Sequence, residues 1–315
     1  MKLRIVMYHY VRELSKSRFP EIKGLDIGLF RNQIDFFKNK FNIVRMEEVI
    51  AAYEEGYELP EDALLLTFDD GYIDHYTYVF PILSNCGVQG SFFVPGKTFK
   101  EHTLLDVNKI HFILASAPVK ELLVDLKNEF ESYKYDYKFT DYEELFEQHA
   151  VADRFDKKEV VFFKRMLQTV LPEEIRNEVT SHIFLKRVGI SEDVFARELY
   201  MNCDQMKCMK KGGMHIGLHG YDHYWLGNLE KDKMEKDIDK ALDCMSGIID
   251  KNNWVMNYPY GSYNDDVVRF IKNNGCKLGL TTEPRVADIS ADDQFRLPRL
   301  DTNDFPPKSR QYINM

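Results

Sequence analysis

The sequence predicts an α/β fold in which parallel strands and helices alternate, either as an open parallel sheet or as a β/α barrel. Short apolar runs of the kind that form buried strands recur along the chain, and Gly, Pro or charged residues bound most of them. Segments with helical spacing of apolar positions separate several of these runs. In folds of this kind the active residues lie at the carboxyl ends of the strands.

The predicted strands and helices follow one another in a regular order. The apolar runs expected to form strands are LRIVMY, FNIVRM, ALLLTF, GSFFVP, MHIGLH, WVMNYP, KLGLTT and FRLPRL. Residues 74–86 and 230–250 repeat apolar side chains at helical spacing and are expected to form helices between strands.

The segment 100–207 differs from the rest of the chain. It is rich in Glu, Lys, Phe and Tyr, its patterns are mostly helical, and no Gly occurs between Gly96 and Gly189. Because a structureless loop of this length would be unusual, we expect a helical insertion between two βα units, with residues 1–99 and 208–315 together forming the β/α barrel. The insertion acts either as a lid or substrate-selecting subdomain, or only in packing or dimerisation.

Composition excludes several classes of partner and location. The 315 residues carry a net charge of −9, which does not favour nucleic acid or an anionic membrane as a partner. No apolar run approaches the roughly 20 residues that span a bilayer, and the N-terminal stretch lacks the apolar core of a signal peptide. The odd number of cysteines, 5, includes no CxxC pair. We therefore expect a reduced, cytoplasmic setting.

Two adjacent aspartates, Asp69 and Asp70, follow the predicted strand ALLLTF and precede Gly71. Like charges repel, and a bound cation would relieve that repulsion by holding one carboxylate while the other stays free. Gly71 would allow the backbone to turn sharply. An ordinary Asp-Gly turn explains the same pattern when it is taken alone.

His219 and His223 are four residues apart and follow the predicted strand MHIGLH. On a helical turn this spacing places both side chains on one face, as two ligands of one metal require. Together with Asp70 they would supply three protein ligands and leave a position open, which is the pattern of a catalytic zinc site or a similar divalent site. His215 lies inside the strand and is expected to be a core or barrel-lining residue.

Three further features lie at predicted strand ends. Pro259, Tyr260 and Gly261 form a tight turn whose backbone N–H groups could face a pocket, with Tyr260 and Tyr263 as surfaces for stacking sugars. An ordinary turn is the simpler interpretation.

His9 ends the first predicted strand and is either a rim residue or a structural histidine. In the tail FRLPRLDTND, an Arg–Asp network could orient a catalytic carboxylate, although Arg296 and Asp304 are expected to belong to a surface ion network.

The ordered set TFDDG, His-x-x-x-His and PYG resembles the polysaccharide deacetylases, which are the family 4 carbohydrate esterases. The resemblance covers the chain apart from 100–207. It implies a distorted β/α barrel and hydrolysis of an N-acetyl group on an amino sugar or glycan. It also implies a divalent metal, with Zn²⁺ expected first and Fe, Co or Ni as alternatives.

The resemblance also assigns roles to individual residues. Asp69 resembles the general base of the family. Asp70, His219 and His223 resemble the metal ligands, and the turn at Tyr260 resembles the oxyanion-hole turn.

The chain departs from the family pattern at several positions. Gly220 stands where the family often has Ser or Thr, and Asn257 stands where it usually has Arg. No His follows His223, so the late histidine that supplies the acid is missing. The N-terminal MYH is similar to the branch of poly-N-acetylglucosamine deacetylases, in which an N-terminal histidine is a candidate acid.

From that branch we expect His9 to be the acid. Arg299 or Arg285 is expected to replace the missing arginine, and Arg299 is expected to bind the oxyanion or the substrate together with Pro259, Tyr260 and Gly261. Two other functions remain open at this stage. The missing Arg and late His are compatible with a carbohydrate-binding homologue that has lost catalysis. A deacylase of another amide or ester on a lipid- or nucleotide-linked sugar would suit a cytosolic location.

Overall fold

The computed structural model describes residues 1–137, 139–154 and 156–314. Positions 138 and 155, within the predicted insertion, lie outside the described residues. The chain divides into two units. One comprises Met1–Glu13, Gly24–His102 and Arg197–Met315, and the other comprises Leu14–Lys23 and Thr103–Ala196.

The first unit contains a curled sheet in which most neighbouring strands are parallel. The strands are β1 Lys2–Tyr8, β2 Val11–Arg12, β3 Leu25–Asp26, β4 Asn42–Ile43, β5 Ala63–Phe68, β6 Ser91–Val94, β7 His215–Leu218, β8 Trp254–Asn257, β9 Cys276–Leu280, β10 Ala287–Asp288 and β11 Leu300–Asp301. The order across the main sheet is β10-β1-β5-β6-β7-β8-β9, with β4 beside β5 and β11 beside β1, while β2 and β3 form a separate two-stranded sheet.

The tail of the chain connects the two ends of this sheet. Leu297 forms a parallel bridge with Leu280 of β9, and Leu300 of β11 pairs in parallel with Val6 of β1. Residues 297–301 therefore lie between the last and first parallel strands. The distorted β/α barrel expected from the sequence is confirmed.

Apolar side chains lie on both faces of the sheet, as is typical of parallel strands that are buried on both sides. Strand β5 is buried along its whole length. Its side chains alternate between two clusters, Leu64, Leu66 and Phe68 in one and Ala63 and Leu65 in the other. The period of two follows from strand geometry.

The helices cover the sheet and form most of the second unit. They are α1 Ile27–Lys40, α2 Met46–Glu54, α3 Phe80–Asn85, α4 Gly96–Lys100, α5 Asp106–Ser116, α6 Val119–Tyr137, α7 Tyr142–His149, α8 Lys158–Arg165, α9 Glu173–Val188, α10 Glu192–Leu199, α11 Cys203–Lys211, α12 Lys231–Cys244 and α13 Asp265–Asn273. One π-helical turn, His75–Val79, leads into α3. Side-chain caps start several helices, as when Asn264 accepts a hydrogen bond from the Val267 N–H at the start of α13.

Three expected elements are shorter than the sequence suggested. FNIVRM forms a strand only at Asn42–Ile43, because α2 begins at Met46. FRLPRL contributes only its last residue, Leu300, to the strand Leu300–Asp301, since Pro298 has no N–H to donate to a neighbouring strand. The helix expected over 230–250 ends at Cys244.

The second unit is helical, and α5 to α9 fall within residues 100–207. It also includes Leu14–Lys23, which the sequence pattern did not assign to it. Aromatic contacts stabilise its interior, where Phe112 packs edge-on against Phe19 and Phe195. Its role as a lid or substrate-selecting subdomain stays a prediction. Across the described parts of both units, none of the helices is long and apolar enough to cross a membrane.

Candidate active site

The candidate site lies where several parallel strands end. His9 follows β1, Asp69 and Asp70 follow β5, and His219 follows β7. The backbone N–H of Asp69 donates to the carbonyl of Tyr8 at 2.9 Å, which aligns the ends of β1 and β5. The parallel topology thus brings together residues that are up to 210 positions apart in sequence, as from His9 to His219.

Three buried side chains converge in a geometry that fits a divalent metal. Oδ1 of Asp70 lies 3.4 Å from Nε2 of His219 and 3.3 Å from Nε2 of His223. The three ligand atoms all lie within 4.8 Å of one another. One carboxylate and two imidazoles form a donor set suited to zinc or a similar ion, with positions left for water and substrate.

Neighbouring groups hold these side chains in place. Nδ1–H of His219 donates to the backbone carbonyl of Asn257 at 2.6 Å, which leaves Nε2 facing the site. The phenol of Tyr72 donates to Oδ2 of Asp70 at 2.5 Å. Burial raises the pKa of Tyr72 well above its usual value, so this hydroxyl remains a donor.

The charge states of the trio favour metal binding. Burial alone would raise the pKa of Asp70, but the neighbouring imidazoles of His219 and His223 outweigh it and hold that pKa well below its ordinary value. Burial lowers the pKa of His223, which favours the neutral imidazole that binds metals. The site therefore offers an ionised carboxylate and a neutral nitrogen ligand.

The backbone around the trio is strained. Asp70 has φ 70° and His223 has φ 58°, a region that side chains with a Cβ adopt rarely. Gly71 has φ 68°, and a Cβ there would come within 2.5 Å of Val94 Cγ1, so only Gly fits. Strain of this kind persists only where the surrounding structure enforces it, and it concentrates at functional sites.

The prediction of a helical turn between the two histidines was wrong. Residues 219–224 form an irregular loop after β7, with Gly220 at φ 69° and His223 at φ 58°. The two rings meet edge to face with centroids 4.8 Å apart. The loop, and not a helix face, turns the second imidazole back onto the first.

Asp69 lies beside the trio and pairs with Arg299. Nη1 and Nη2 of Arg299 donate to the two carboxylate oxygens of Asp69, each at 2.8 Å. Burial alone would raise the pKa of Asp69, but the charge and hydrogen bonds of Arg299 lower it to about 2. Asp69 is therefore ionised throughout the neutral range.

Arg299 does not face a substrate. It is 1% exposed, and its remaining donors reach the carbonyl of Thr281 at 2.8 Å and the hydroxyl of Thr67 at 3.2 Å. The expectation that it contacts substrate is corrected: it holds Asp69 instead. Arg285 pairs with Glu283 and Asp292 and does not replace the missing arginine.

His9 lies on the open side of Asp69. Its Nε2 is 3.9 Å from Oδ2 of Asp69, and its side chain is 41% exposed. Its backbone carbonyl accepts a hydrogen bond from Nε2 of His75 at 2.9 Å. Burial lowers the pKa of His75 to about 4, so that ring is neutral and acts as a structural donor.

The PYG turn contributes an aromatic wall to the site. Tyr260 has φ 58° within the turn Pro259–Gly261, and its ring meets the His223 ring at 4.7 Å. Trp225 stacks on Tyr260 with centroids 4.3 Å apart and planes 3° from parallel. Tyr263 instead stacks on Tyr258 at 5.0 Å. Trp225 is 36% exposed and therefore presents the open aromatic surface.

The remaining tail residues divide between surface and core. Arg296 forms surface ion pairs with Asp265 and Asp293, as expected. Asp304 is buried and accepts from the backbone N–H of Asp301, so its assignment to a surface network was wrong. His215 is partly buried at the start of β7, away from the carboxyl end that carries His219.

Sequence reasoning did not single out Tyr72, His75 or Trp225. Tyr72 follows Gly71 directly and His75 lies three residues further on, so proximity to the aspartates was the one available signal. Trp225 is two residues after His223, just beyond the His-x-x-x-His motif. Their contacts depend on loop conformation, which short motifs do not encode.

Comparison with known proteins supports one family. A polysaccharide deacetylase family model matches residues 56–279. The poly-beta-1,6-N-acetyl-D-glucosamine N-deacetylase of Staphylococcus aureus (strain MRSA252) is 26% identical over 214 residues, covering 61% of this chain and 72% of that protein. The Escherichia coli (strain K12) protein of the same name is 36% identical over 80 residues, covering 25% of this chain and 12% of that protein. A further curated relative is matched over 39% of its own length. The chain therefore spans well under two-thirds of the length of several of its curated relatives.

A solved structure has the same fold. The Streptococcus pyogenes deacetylase PplD, in complex with acetate, superposes with a TM-score of 0.60 over 100% of this chain and 97% of that chain. The two sequences are 18% identical, so this likeness concerns the fold.

Proposed function

Because the chain belongs to the polysaccharide deacetylase family, we propose that it is a metal-dependent hydrolase that removes an N-acetyl group from an amino sugar of a glycan. The convergence of Asp70, His219 and His223 beside the ionised Asp69 supports this proposal most directly. Asp69 is a second carboxylate beside the three candidate ligands, and it pairs with Arg299. A carboxylate in this position is suited to accept a proton. The two adjacent aspartates thereby take separate roles.

Asp70, His219 and His223 would hold the metal, with Zn²⁺ the first expectation and Fe, Co or Ni as alternatives. Such an ion polarises an amide carbonyl and lowers the pKa of water from 15.7 toward about 7. The chain's own contribution is a fixed donor set, because Asn257 and Tyr72 orient two of the three ligands.

Asp69 would accept a proton from the water that attacks the acetyl carbonyl. Arg299 keeps this carboxylate ionised and fixes both of its oxygens. When the C–N bond breaks, the products are acetate and a free amine on the sugar.

His9 would supply the proton that the leaving amine requires. Its Nε2 lies 3.9 Å from Oδ2 of Asp69 and its side chain is open to solvent, so it could reach an amide bound beside Asp69. The hydrogen bond from His75 fixes the His9 backbone. The PYG turn would hold the oxyanion through the Tyr260 backbone, next to the ring of His223.

The substrate would be a glycan that lies against Trp225. The exposed indole face is flat, adjacent to Tyr260, and two residues from the ligand His223. Aromatic faces of this kind pack well against the apolar face of a pyranose ring. The names of the Staphylococcus aureus and Escherichia coli relatives point to β-1,6-linked N-acetylglucosamine as the first substrate to test. A lipid- or nucleotide-linked precursor is the alternative that a cytoplasmic location would favour.

A catalytically impaired binding homologue fits the geometry less well. That alternative was motivated by an arginine and a late histidine that the motifs lack. In the structure Arg299 reaches Asp69 from the tail, and His9 approaches it from the first strand. Arg299 and His9 would therefore fill both chemical positions from elsewhere in the chain.

The experiment is a screen for acetate release. Purified protein would be incubated with β-1,6-linked N-acetylglucosamine oligomers, other N-acetylated sugars and sugar nucleotides, with and without chelator. We expect acetate release from at least one N-acetylated glycan, and its loss on chelation. Metal-loaded protein that binds oligomers but releases no acetate from any member would favour the binding homologue.

A further inference from the structure

Asp237 of α12 contacts the loop that joins the two histidine ligands. Its Oδ2 accepts a hydrogen bond from the backbone N–H of Tyr221 at 2.9 Å. Its Oδ1 accepts from the backbone N–H of Asp222 at 2.8 Å. The side chain is buried, and both of its carboxylate oxygens accept hydrogen bonds from the segment between His219 and His223.

The same loop is held from its other side by α4. The backbone N–H groups of Gly96 and Lys97 donate to the carbonyls of Gly220 and Tyr221, each at 3.0 Å. Asp237 therefore fixes the loop's donors while α4 fixes its acceptors. A loop held in this way keeps one conformation even though its residues belong to neither helix nor strand.

The carboxylate also fits closely against the loop. A Cβ placed on Gly220 would lie 3.0 Å from Oδ2 of Asp237. Gly220 has φ 69°, and His223, three residues on, has φ 58°. The two left-handed residues bracket the two N–H groups that Asp237 binds, so its contacts lie at the bend that returns His223 to His219.

We propose that Asp237 is a positioning residue for the metal centre: it sets the distance between the two imidazoles by fixing the loop between them. This inference rests on the proposed metal site. Burial raises the pKa of Asp237 to about 6, while the N–H bonds from Tyr221 and Asp222 lower it, so both loop donors stabilise the ionised form. Groups that orient metal ligands are typically worth 10–100-fold in metal affinity.

The test compares Asp237→Ala and Asp237→Asn with Asp239→Asn, an exposed carboxylate on the same helix. Zn²⁺ affinity is measured by competition with a chromophoric chelator, and ligand geometry by the visible spectrum of the Co²⁺-substituted protein. We expect Asp237→Ala to weaken Zn²⁺ binding about 10–100-fold and to alter the Co²⁺ spectrum. Asp237→Asn keeps one acceptor oxygen and should lose less, and Asp239→Asn should match the wild type.

A purely structural role predicts a different result. Both Asp237 variants would then have a lower Tm, but their Zn²⁺ affinity would stay within twofold of the wild type and their Co²⁺ spectrum would be unchanged. That result would overturn the inference. Should Asp237→Ala fail to fold, Asp237→Asn carries the same comparison. Failure of the proposed function is separate, because the wild type itself would then bind no Zn²⁺ or release no acetate.

Discussion

Arg299 and Asp69, which are 230 positions apart in the sequence, form a buried bidentate ion pair in which both N–O distances are 2.8 Å. The arginine comes from the tail segment that joins the two ends of the sheet. The aspartate follows the central strand β5. The segment that closes the barrel therefore also carries the side chain that keeps the proposed base ionised.

Replacing Arg299 with Met should destabilise the protein strongly at neutral pH. The variant leaves Asp69 buried without its cation, and breaking a buried pair in this way costs about 3–5 kcal/mol. In the wild type the pKa of Asp69 is lowered to about 2, so its contribution to stability is present above its unfolded pKa of about 3.9 and is lost as pH falls through about 2. In the variant Asp69 can protonate at a higher pH.

The difference in unfolding free energy between the wild type and Arg299→Met should therefore shrink as pH falls from 7 toward about 3. Denaturant titrations of metal-free protein at several pH values measure it. Arg285→Met, which removes a more exposed arginine, is the matched control and should change little. A difference independent of pH would mean that Arg299 acts through packing and not through the Asp69 charge.

Replacing His9 with Ala should lower kcat by about 10²–10⁴-fold if His9 protonates the leaving amine. The alkaline limb of the pH–rate profile, which reports the required acid, should flatten at the same time. His182, an exposed histidine of the helical unit, provides the control variant His182→Ala. A rate loss with an unaltered profile would return His9 to a structural role.

Replacing Trp225 with Ala should weaken the use of oligomeric substrates more than that of a single sugar. Loss of about 1–2 kcal/mol of stacking raises KM roughly tenfold, whereas Trp225→Phe keeps an aromatic face and should lose less. Tyr57→Ala removes another exposed aromatic side chain, 45% exposed, and serves as the control.

Intrinsic fluorescence gives a second readout for the same surface. The chain has 2 Trp residues, and Trp254 is buried with its Nε1 bonded to the carbonyl of Asn274 at 2.8 Å. Glycan binding should therefore change the emission of Trp225. Equal KM changes in Trp225→Ala and Tyr57→Ala, with no change in emission, would remove Trp225 from the substrate surface.

Removing the metal should abolish acetate release and lower thermal stability together. A ligand present at 100 times its Kd stabilises the folded state by about 2.7 kcal/mol, so Zn²⁺ should raise Tm in a concentration-dependent way. His223→Ala should lose this Zn²⁺-dependent shift, while His182→Ala should retain it. A shift that persists in His223→Ala would place the ion elsewhere.

The sequence predicted the barrel and the residues of its rim because those signals are local. Apolar runs such as ALLLTF mark buried strands, and polar residues directly after them lie at the carboxyl edge wherever the sheet is parallel. Asp69, Asp70 and His219 were identified by this rule, and the structure brings Asp70 and His219 together with His223.

The rest depended on contacts that local patterns do not carry. The ion pair between Arg299 and Asp69 depends on the path of the tail between the two ends of the sheet. The burial of Asp304 depends on the same path. The spacing of His219 and His223 suggested a helix, whereas the positive φ of Gly220 and His223 produces a loop. At Gly220, where the family resemblance favours Ser or Thr, the nearby space is occupied by Oδ2 of Asp237.

The central claim is that Asp69 is the proton acceptor beside a metal held by Asp70, His219 and His223. The most direct measurement is acetate release from β-1,6-linked N-acetylglucosamine oligomers by the wild type and by Asp69→Asn, with the bound metal of both quantified. We predict equal metal content and loss of nearly all turnover in Asp69→Asn. Turnover retained at equal metal content would contradict the claim.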